Sequence, residues 1–342
     1  MISASHNPAR DNGIKFFASD GMKLPDAVED RIEAAMDGAE SAEASIEELP
    51  DAEERYVSFL LDGAVSLAGL RIVVDCANGA ASNVAPEVYR EAGADVHVIA
   101  ADPDGTNIND HCGATHLDLL REAVRAHGAH VGIAHDGDSD RLMAVDAHGR
   151  VVDGDQVLGI CAIEAAARHA LAGNAVVTTV MANLGFRNAM AREGIRVVET
   201  AVGDRYVLAA MLEQGLVMGG EQSGHIIFLD RHTTGDGILT AMKLMSVIAS
   251  SGRDLADLAA QIPRFPQVMN NVIVRDRTAL EGARAVWDAV RAVEARMDGS
   301  GRVLVRASGT EQLVRVMAEA ADERAAQSAV DEISEVVRAN LS

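Results

Sequence analysis

From residue 70 onward, short apolar runs alternate with helix-length amphipathic stretches. This alternation restricts the fold more than any other feature. Residues 71–75, Arg-Ile-Val-Val-Asp, read as a short buried strand, followed by a Cys-Ala-Asn-Gly-Ala turn and a helix near 85–92. Strands at 95–100, 130–135 and 142–146 follow, with a helix at 116–127 between the first two. The rhythm then repeats. Helices are expected at 156–170, 186–192, 204–213 and 235–250, and strands at 175–180, 195–199, 217–219 and 224–229. Alternation of this kind predicts βαβ layers around largely parallel sheets. Two successive units of similar size suggest a duplicated architecture, although no clean internal sequence repeat is visible.

The flanks read differently. Residues 27–36 and 51–61 are helical patterns with acidic faces, the second begun by Pro50. Pro263 and Pro266 punctuate a boundary. Beyond them come a strand at 268–275, a helix at 280–297, strands at 302–306 and 314–319, and a helix at 323–340. That order is α+β, a small separate domain.

Charge narrows the function. The 342 residues carry a net charge of −22, which disfavours nucleic-acid backbones and anionic membranes as partners. An anionic small molecule would also be repelled unless its site supplied local positive charge. Cations inside a cleft therefore carry more meaning than usual. Only three lysines occur, Lys15, Lys23 and Lys243, and a lysine gives up its proton far more readily than an arginine. Cys76, Cys112 and Cys161 are widely spaced and odd in number, matching neither a disulfide framework nor a zinc spacing. A reduced cytoplasmic setting fits. Residues 1–17 lack the apolar core of a signal peptide, and no apolar run is long enough to span a bilayer.

Three loops carry chemistry. His-Asp-Gly-Asp-Ser-Asp-Arg at 135–141 follows a predicted strand and alternates Asp136, Asp138 and Asp140. In an extended segment alternate side chains share a face, so three carboxylates can converge on a hard cation such as Mg²⁺. An EF-hand starts in the same way, but its sixth position would be Arg141 rather than Gly and its twelfth Ala147 rather than Glu. A plain acidic turn is the bland alternative. Gly-Gly-Glu-Gln-Ser-Gly-His at 219–225 offers close backbone approach, with Glu221 and Ser223 suited to sugar hydroxyls and His225 to acid–base work or binding. By itself it also reads as a tight β-turn. Arg-Ala-Ser-Gly-Thr at 306–310 has the composition of a phosphate cradle: Arg306 gives a bidentate fork, while Ser308, Gly309 and Thr310 give hydroxyls and backbone N–H groups. Ser-Gly-Thr is common turn chemistry too.

A fourth loop opens the chain. Residues 1–17 place Ser5 among small residues just before His6, Asn7 and Pro8, with Lys15 downstream. In this order the serine loop, the three-aspartate loop, the Gly-Glu-Gln-Ser-Gly-His loop and the Arg-x-Ser-Gly-Thr loop resemble the four active-site loops of the α-D-phosphohexomutases. The resemblance runs over the whole chain. It implies an α/β fold of consecutive mixed α/β domains plus a C-terminal α+β domain, with four loops meeting in a central cleft. The expected boundaries are 1–60, 61–155, 156–264 and 265–342.

The resemblance also implies roles. Ser5 would carry a phosphoryl group. Asp136, Asp138 and Asp140, with the serine phosphate, would hold one Mg²⁺. Lys15 would assist proton transfer, and Arg141 would orient the phosphate. Glu221 and Ser223 would hold sugar hydroxyls, and Arg306, Ser308, Gly309 and Thr310 would grip the phosphate that is not reacting. Arg205 and His225 are further candidates, and His6 is expected to support the loop. Gln222, with the stretches at 74–81, 103–109, 181–186 and 233–238, resembles the bacterial branch acting on glucosamine phosphates. That branch interconverts the 6- and 1-phosphates through a 1,6-bisphosphate, which also serves as activator, and feeds UDP-N-acetylglucosamine and cell-wall synthesis. Mutases of glucose or mannose phosphates, a non-catalytic sugar-phosphate binder and an aspartate-based phosphatase are the alternatives. A homodimer is compatible with the resemblance.

Two departures stand out. Gln312 occupies a place where the family usually has proline, which should loosen that loop slightly. The family also has a Gly-Thr-Asp-Gly-type segment and the first strands of domain 1 ahead of the serine loop. Without them the resemblance predicts exposed apolar surface near residues 1–57, low activity and a tendency to aggregate.

Overall fold

The alternation read from residue 70 becomes two sheets of one design. The computed structural model describes residues 1–36, 47–308 and 311–341. They fall into two units: Met1–Ala182 with Ala189–Ile262, and Asn183–Asn188 with residues 263 onward.

The first unit starts with a hairpin that sequence patterning does not reveal, β1 (Ile2–Ser3) antiparallel to β2 (Gly13–Ile14). Its apolar residues Ile2 and Ile14 face solvent, as expected for this stretch. Helices α1 (Asp26–Met36) and α2 (Ala52–Leu61) follow. The first sheet is built from β3 (Arg71–Asp75), α3 (Ala81–Glu91), β4 (Asp95–Ile99), α4 (Asp118–His127), β5 (Val131–Ala134), β6 (Met143–Asp146) and β7 (Val151–Val152). Its strand order is β4-β3-β5-β6-β7, parallel across the first three and antiparallel thereafter.

The second sheet is built from α5 (Gly154–Ala167), β8 (Ala175–Thr179), α6 (Leu184–Arg192), β9 (Arg196–Thr200), α7 (Asp204–Gln214), β10 (Met218–Gly220), β11 (Ile226–Phe228), α8 (Gly237–Ser251) and α9 (Leu255–Ala259). Its order, β11-β10-β8-β9, repeats the layout of β6-β5-β3-β4: three parallel strands with an antiparallel strand at one side. Helices α4 and α7 hold equivalent places. Leu120 and Val124 pack with Val73 and Val145 under the first sheet, and Val207 and Met211 with Val177 and Ile227 under the second. Each such fully buried side chain contributes about 1.5–3 kcal/mol relative to exposure.

Helix boundaries follow their caps. Helix α5 starts earlier than the apolar period suggests because Asp153 and Gln156 form a capping box. The Asp236 carboxylate caps α8 through Leu239 N and also accepts the Tyr56 hydroxyl (2.9 Å), tying α2 to α8.

In the second unit, β12 (Gln267–Ile273), α10 (Arg284–Met297), β13 (Arg302–Ala307), β14 (Leu313–Glu319) and α11 (Glu323–Leu341) form an antiparallel β12-β14-β13 sheet with a core shared by both helices. The helix expected from residue 280 begins only at Arg284, because Arg277–Leu280 forms a 3₁₀ turn. Asn183 staples this unit. Its Oδ1 accepts Gly185 N and Phe265 N, and its Nδ2 donates to Phe265 O at 3.0 Å. Glu319, fully buried, accepts Leu184 N (2.7 Å) and pairs with Arg302 Nε (2.7 Å). Gln312, expected to loosen its loop, gives its carbonyl to Val274 N and its side chain to Arg277 N.

Candidate active site

Three of the four sequence-predicted loops come together in the first unit. The serine loop turns sharply at Ser5, whose φ of 50° lies in the left-handed region. The turn is over-determined. Ser5 N donates to Ser3 Oγ (2.8 Å), and the Ser5 carbonyl accepts Gly137 N (3.1 Å) and Asn109 Nδ2 (2.8 Å). A Cβ on Gly137 would stand 2.5 Å from that carbonyl, so only glycine lets the serine and aspartate loops approach this closely. Strain held by surrounding bonds in this way is typical of functional turns. The Ser5 hydroxyl stays accessible, with His6 Nδ1 3.2 Å away.

The aspartate loop follows β5 as expected. Its three carboxylates offer oxygens that all lie within 4.8 Å of one another. Asp136 Oδ2, Asp138 Oδ1 and Asp140 Oδ1 are buried with no hydrogen-bond partner. Orphaned anionic oxygens facing each other fit a hard divalent cation, with Asp136, Asp138 and Asp140 as its ligands. Burial and the neighbouring Asp140 and Asp138 raise the Asp136 pKa. Asp140 moves the other way: burial opposes ionisation, but His225, Lys15 and Arg141 outweigh it.

Cations surround this cluster. Lys15 Nζ donates to Asp138 Oδ2 (2.7 Å), which also accepts Ser3 Oγ (2.5 Å), and lies 3.8 Å from Asp140. Burial of Lys15 favours its neutral form, but the three aspartates outweigh that and raise its pKa. Arg141 Nε sits 3.7 Å from both Asp136 and Asp140. Behind the loop, His135 is fully buried between the Tyr89 hydroxyl (2.8 Å) and the Arg141 carbonyl (3.2 Å) and orients the arginine's backbone.

The sugar-loop candidate is the β10–β11 turn, bolted to the aspartate loop by backbone bonds. Leu142 N donates to Gly224 O, Gly154 N to Gln222 O and Gly237 N to Ser139 O, and Arg141 bridges His225. His225 is buried, with Nδ1 3.5 Å from Asp140 and Nε2 3.6 Å from Asp204. Burial opposes its protonation, but Asp140, Asp204 and Glu221 outweigh it and raise its pKa. Gly235 N donates to Nε2 (3.2 Å), so a ring that gains a second proton must release that bond. Glu221 accepts Gly203 N (3.1 Å) at the start of α7, and Ser223 is exposed at the turn. Arg205 stands on α7, its guanidinium 5.6 Å from the Tyr206 ring.

Sequence reasoning singled out Arg205 and passed over its neighbour. Asp204 is paired by Lys23 and lies beside His225. Burial opposes its ionisation, but Lys23 and His225 outweigh this and hold its carboxyl below the ordinary value. Both residues line a cavity of about 260 Å³ together with Arg205, His225 and Thr233.

The phosphate-loop candidate belongs to the second unit. Arg306 on β13 stands directly opposite Arg315 on β14, and burial followed by the Arg315 charge lowers its pKa. Like charges across a strand pair are unfavourable without an anion. Ser308 is buried, its hydroxyl accepting Glu311 N, and Arg277 donates to its carbonyl at 2.5 Å. Gly309 and Thr310 lie outside the described residues. Arg277 and Arg315 were missed as site residues; the register of β13 with β14 reveals Arg315, and hydrogen bonds to the Ser308 and Glu311 carbonyls reveal Arg277.

Comparison with known proteins gives this arrangement its class. Four phosphoglucomutase/phosphomannomutase descriptions match in order: domain I over residues 1–43, domain II over 54–149, domain III over 153–265 and the C-terminal domain over 269–336. The chain belongs to this phosphohexomutase family, whose members are isomerases. More particularly, it is 54% identical to a phosphoglucosamine mutase of Desulforudis audaxviator, over 98% of this chain and 77% of the relative. Identity to the phosphoglucosamine mutase of Saccharopolyspora erythraea is also 54%, over 99% and 78%. Among solved structures, a phosphoglucomutase/phosphomannomutase family protein from Burkholderia thailandensis aligns with a TM-score of 0.78 at 24% identity, over 99% of this chain and 75% of that one. The N-acetylphosphoglucosamine mutase of Aspergillus fumigatus, bound to GlcNAc-6P and magnesium, aligns at 0.76 and 20% identity, over 100% and 89%. The fold is shared with both. These matches do not bear out the expectation of an impaired enzyme, since the domain I description matches from residue 1. Among the described residues, no helix is long and apolar enough to cross a membrane.

Proposed function

We propose that the chain interconverts glucosamine 6-phosphate and glucosamine 1-phosphate, passing the phosphoryl group through Ser5. The observation that carries this reading is the accessible Ser5 hydroxyl on a backbone turn clamped to the three-aspartate loop. Phosphorylated Ser5 gives its phosphoryl group to the free hydroxyl of the 6-phosphate. This forms a 1,6-bisphosphate and restores the serine hydroxyl. After the bisphosphate turns over, its other phosphoryl group returns to Ser5 and glucosamine 1-phosphate leaves.

Mg²⁺ held by Asp136, Asp138 and Asp140 would neutralise charge on the transferring group. Lys15 holds Asp138 in place, and its ammonium, favoured by the three aspartates, would donate to the transferring phosphoryl group. Arg141 and His225 flank the same carboxylates and orient phosphate and sugar. Glu221 and Ser223 present an acceptor and a donor to the ring hydroxyls. In the second unit, Arg306 and Arg315, facing each other across β13 and β14, have the charge to bind a phosphate in a chain of net charge −22. Positioning by pre-set charges supplies most of the rate enhancement in such a transfer.

The test is intact mass after mixing with glucosamine 1,6-bisphosphate and Mg²⁺. Wild type should gain one phosphate and then turn over glucosamine 6-phosphate, while Ser5→Ala should do neither. Unchanged turnover in Ser5→Ala would point instead to an aspartate nucleophile.

A further inference from the structure

We propose that Asp204 is the residue that recognises the 2-ammonium group of the sugar, and that Lys23 holds its place when no sugar is bound. The inference rests on the amino-sugar reading above and names the group that enforces it. Asp204 is the first residue of α7 and contributes to the wall of the 260 Å³ cavity that also contains His225 and Arg205. That volume lies just below the usual range for small-molecule pockets, about 300–1,000 Å³.

The argument is one of matched charge. Glucosamine and glucose phosphates differ at a single substituent, an ammonium in place of a hydroxyl. At neutral pH the amine is largely protonated. An ammonium offers three donors and no acceptor, so its specific partner is an ionised carboxylate. Among the described residues, the carboxylates acting on His225 are Glu221, Asp140 and Asp204. Glu221 Oε1 is engaged by Gly203 N, and Asp140 faces the aspartate cluster. Asp204 faces the cavity, and its Oδ2 carries an ammonium already, the Nζ of Lys23. The Asp204 side chain is 26% exposed and the Lys23 side chain 37% exposed, so a ligand can reach the pair. An exposed pair of this type adds little to stability, and a flexible lysine is readily displaced. The Lys23 ammonium therefore shows where a substrate ammonium would sit. A neutral hydroxyl could not displace it without leaving the carboxylate less well paired, which is how charge-reading sites reject uncharged analogues. Gly203, whose N–H binds Glu221, links this carboxylate to the loop that holds the ring hydroxyls, so both readings of the sugar share one support.

The experiment compares kcat/KM of the full chain for glucosamine 1-phosphate and glucose 1-phosphate, alongside calorimetric binding of the corresponding 6-phosphates. Wild type, Asp204→Asn and Lys23→Met are measured with Mg²⁺ present. The proposal expects Asp204→Asn to cut the amino-sugar preference by about tenfold or more, the loss typical of one charged hydrogen bond, mostly through amino-sugar KM and Kd. It expects Lys23→Met to keep or raise the preference. An equal loss for both sugars in Asp204→Asn, in a variant with unchanged melting temperature, would make Asp204 a support for His225 and overturn the proposal. So would an unchanged preference. Failure of the amino-sugar reading is separable, because it appears in wild type: no preference for glucosamine phosphates in turnover or in binding.

Discussion

At the scale of single residues, three of the ten described non-glycine residues with positive φ belong to one junction. Ser5, Asn109 and Ser139 all have positive φ, and all lie where the serine and aspartate loops touch. Gly137 makes the contact possible, so Gly137→Ala should disturb catalysis more than folding. We expect a loss of about 1–3 kcal/mol in stability from the displaced backbone, and a fall in Ser5 phosphorylation of two orders of magnitude or so, read by urea titration and intact mass. The aspartates make a second forecast. Mg²⁺ at about 100 times its Kd should stabilise wild type by about 2.7 kcal/mol, and Asp138→Asn should lose most of that increment in a thermal melt. A melt insensitive to Mg²⁺ would contradict the assignment of these carboxylates. The reactive residue types were legible in the sequence because each loop is contiguous. Their supports were not. Asn109 reaches Ser5 across 104 residues of chain, Lys23 reaches Asp204 across 181, and Gly203, next to Asp204, reaches Glu221 across 18. No local pattern encodes such pairings.

At the scale of elements, capping and register decide what periodicity leaves open. The Asp153–Gln156 box was present in the sequence and sets the start of α5. The two-residue strands β1 and β2 are too short for any alternation to appear, and α9 is barely more than one turn. Register also explains Arg315: only the pairing of β13 with β14 puts it opposite Arg306. In the second unit, Glu319 receives Leu184 N, Asn183 Nδ2 and the Arg302 guanidinium at the end of β14. Glu319→Ala would leave a largely buried guanidinium without its carboxylate. We expect a cost of about 3–5 kcal/mol, measured by denaturant unfolding of the full chain. A cost under about 1 kcal/mol would show that this pairing is dispensable.

At the scale of the whole molecule, the duplicated layout was legible as a rhythm of strands and helices but not as repeated residues. The two sheets preserve strand order and helix placement while their cores use different side chains, Leu120 and Val124 in one and Val207 and Met211 in the other. Packing accepts many apolar solutions of similar volume, so architecture outlasts identity. The three thiols illustrate how closed these cores are. Burial pushes Cys76, Cys112 and Cys161 each up to about 12. In the native protein at pH 8 they should resist a thiol reagent over hours, and their labelling should follow the unfolding rate. Rapid labelling of one thiol would reveal local opening around it.

The scarcity of lysine has a practical side. Two of the three, Lys15 and Lys23, stand against Asp138 and Asp204. Amine-directed dyes, cross-linkers and sensor-chip couplings that reach these two ammonium groups would react at the candidate site, and a protein immobilised through them is blocked where it is meant to be measured. Attachment through an added tag keeps those two ammonium groups intact.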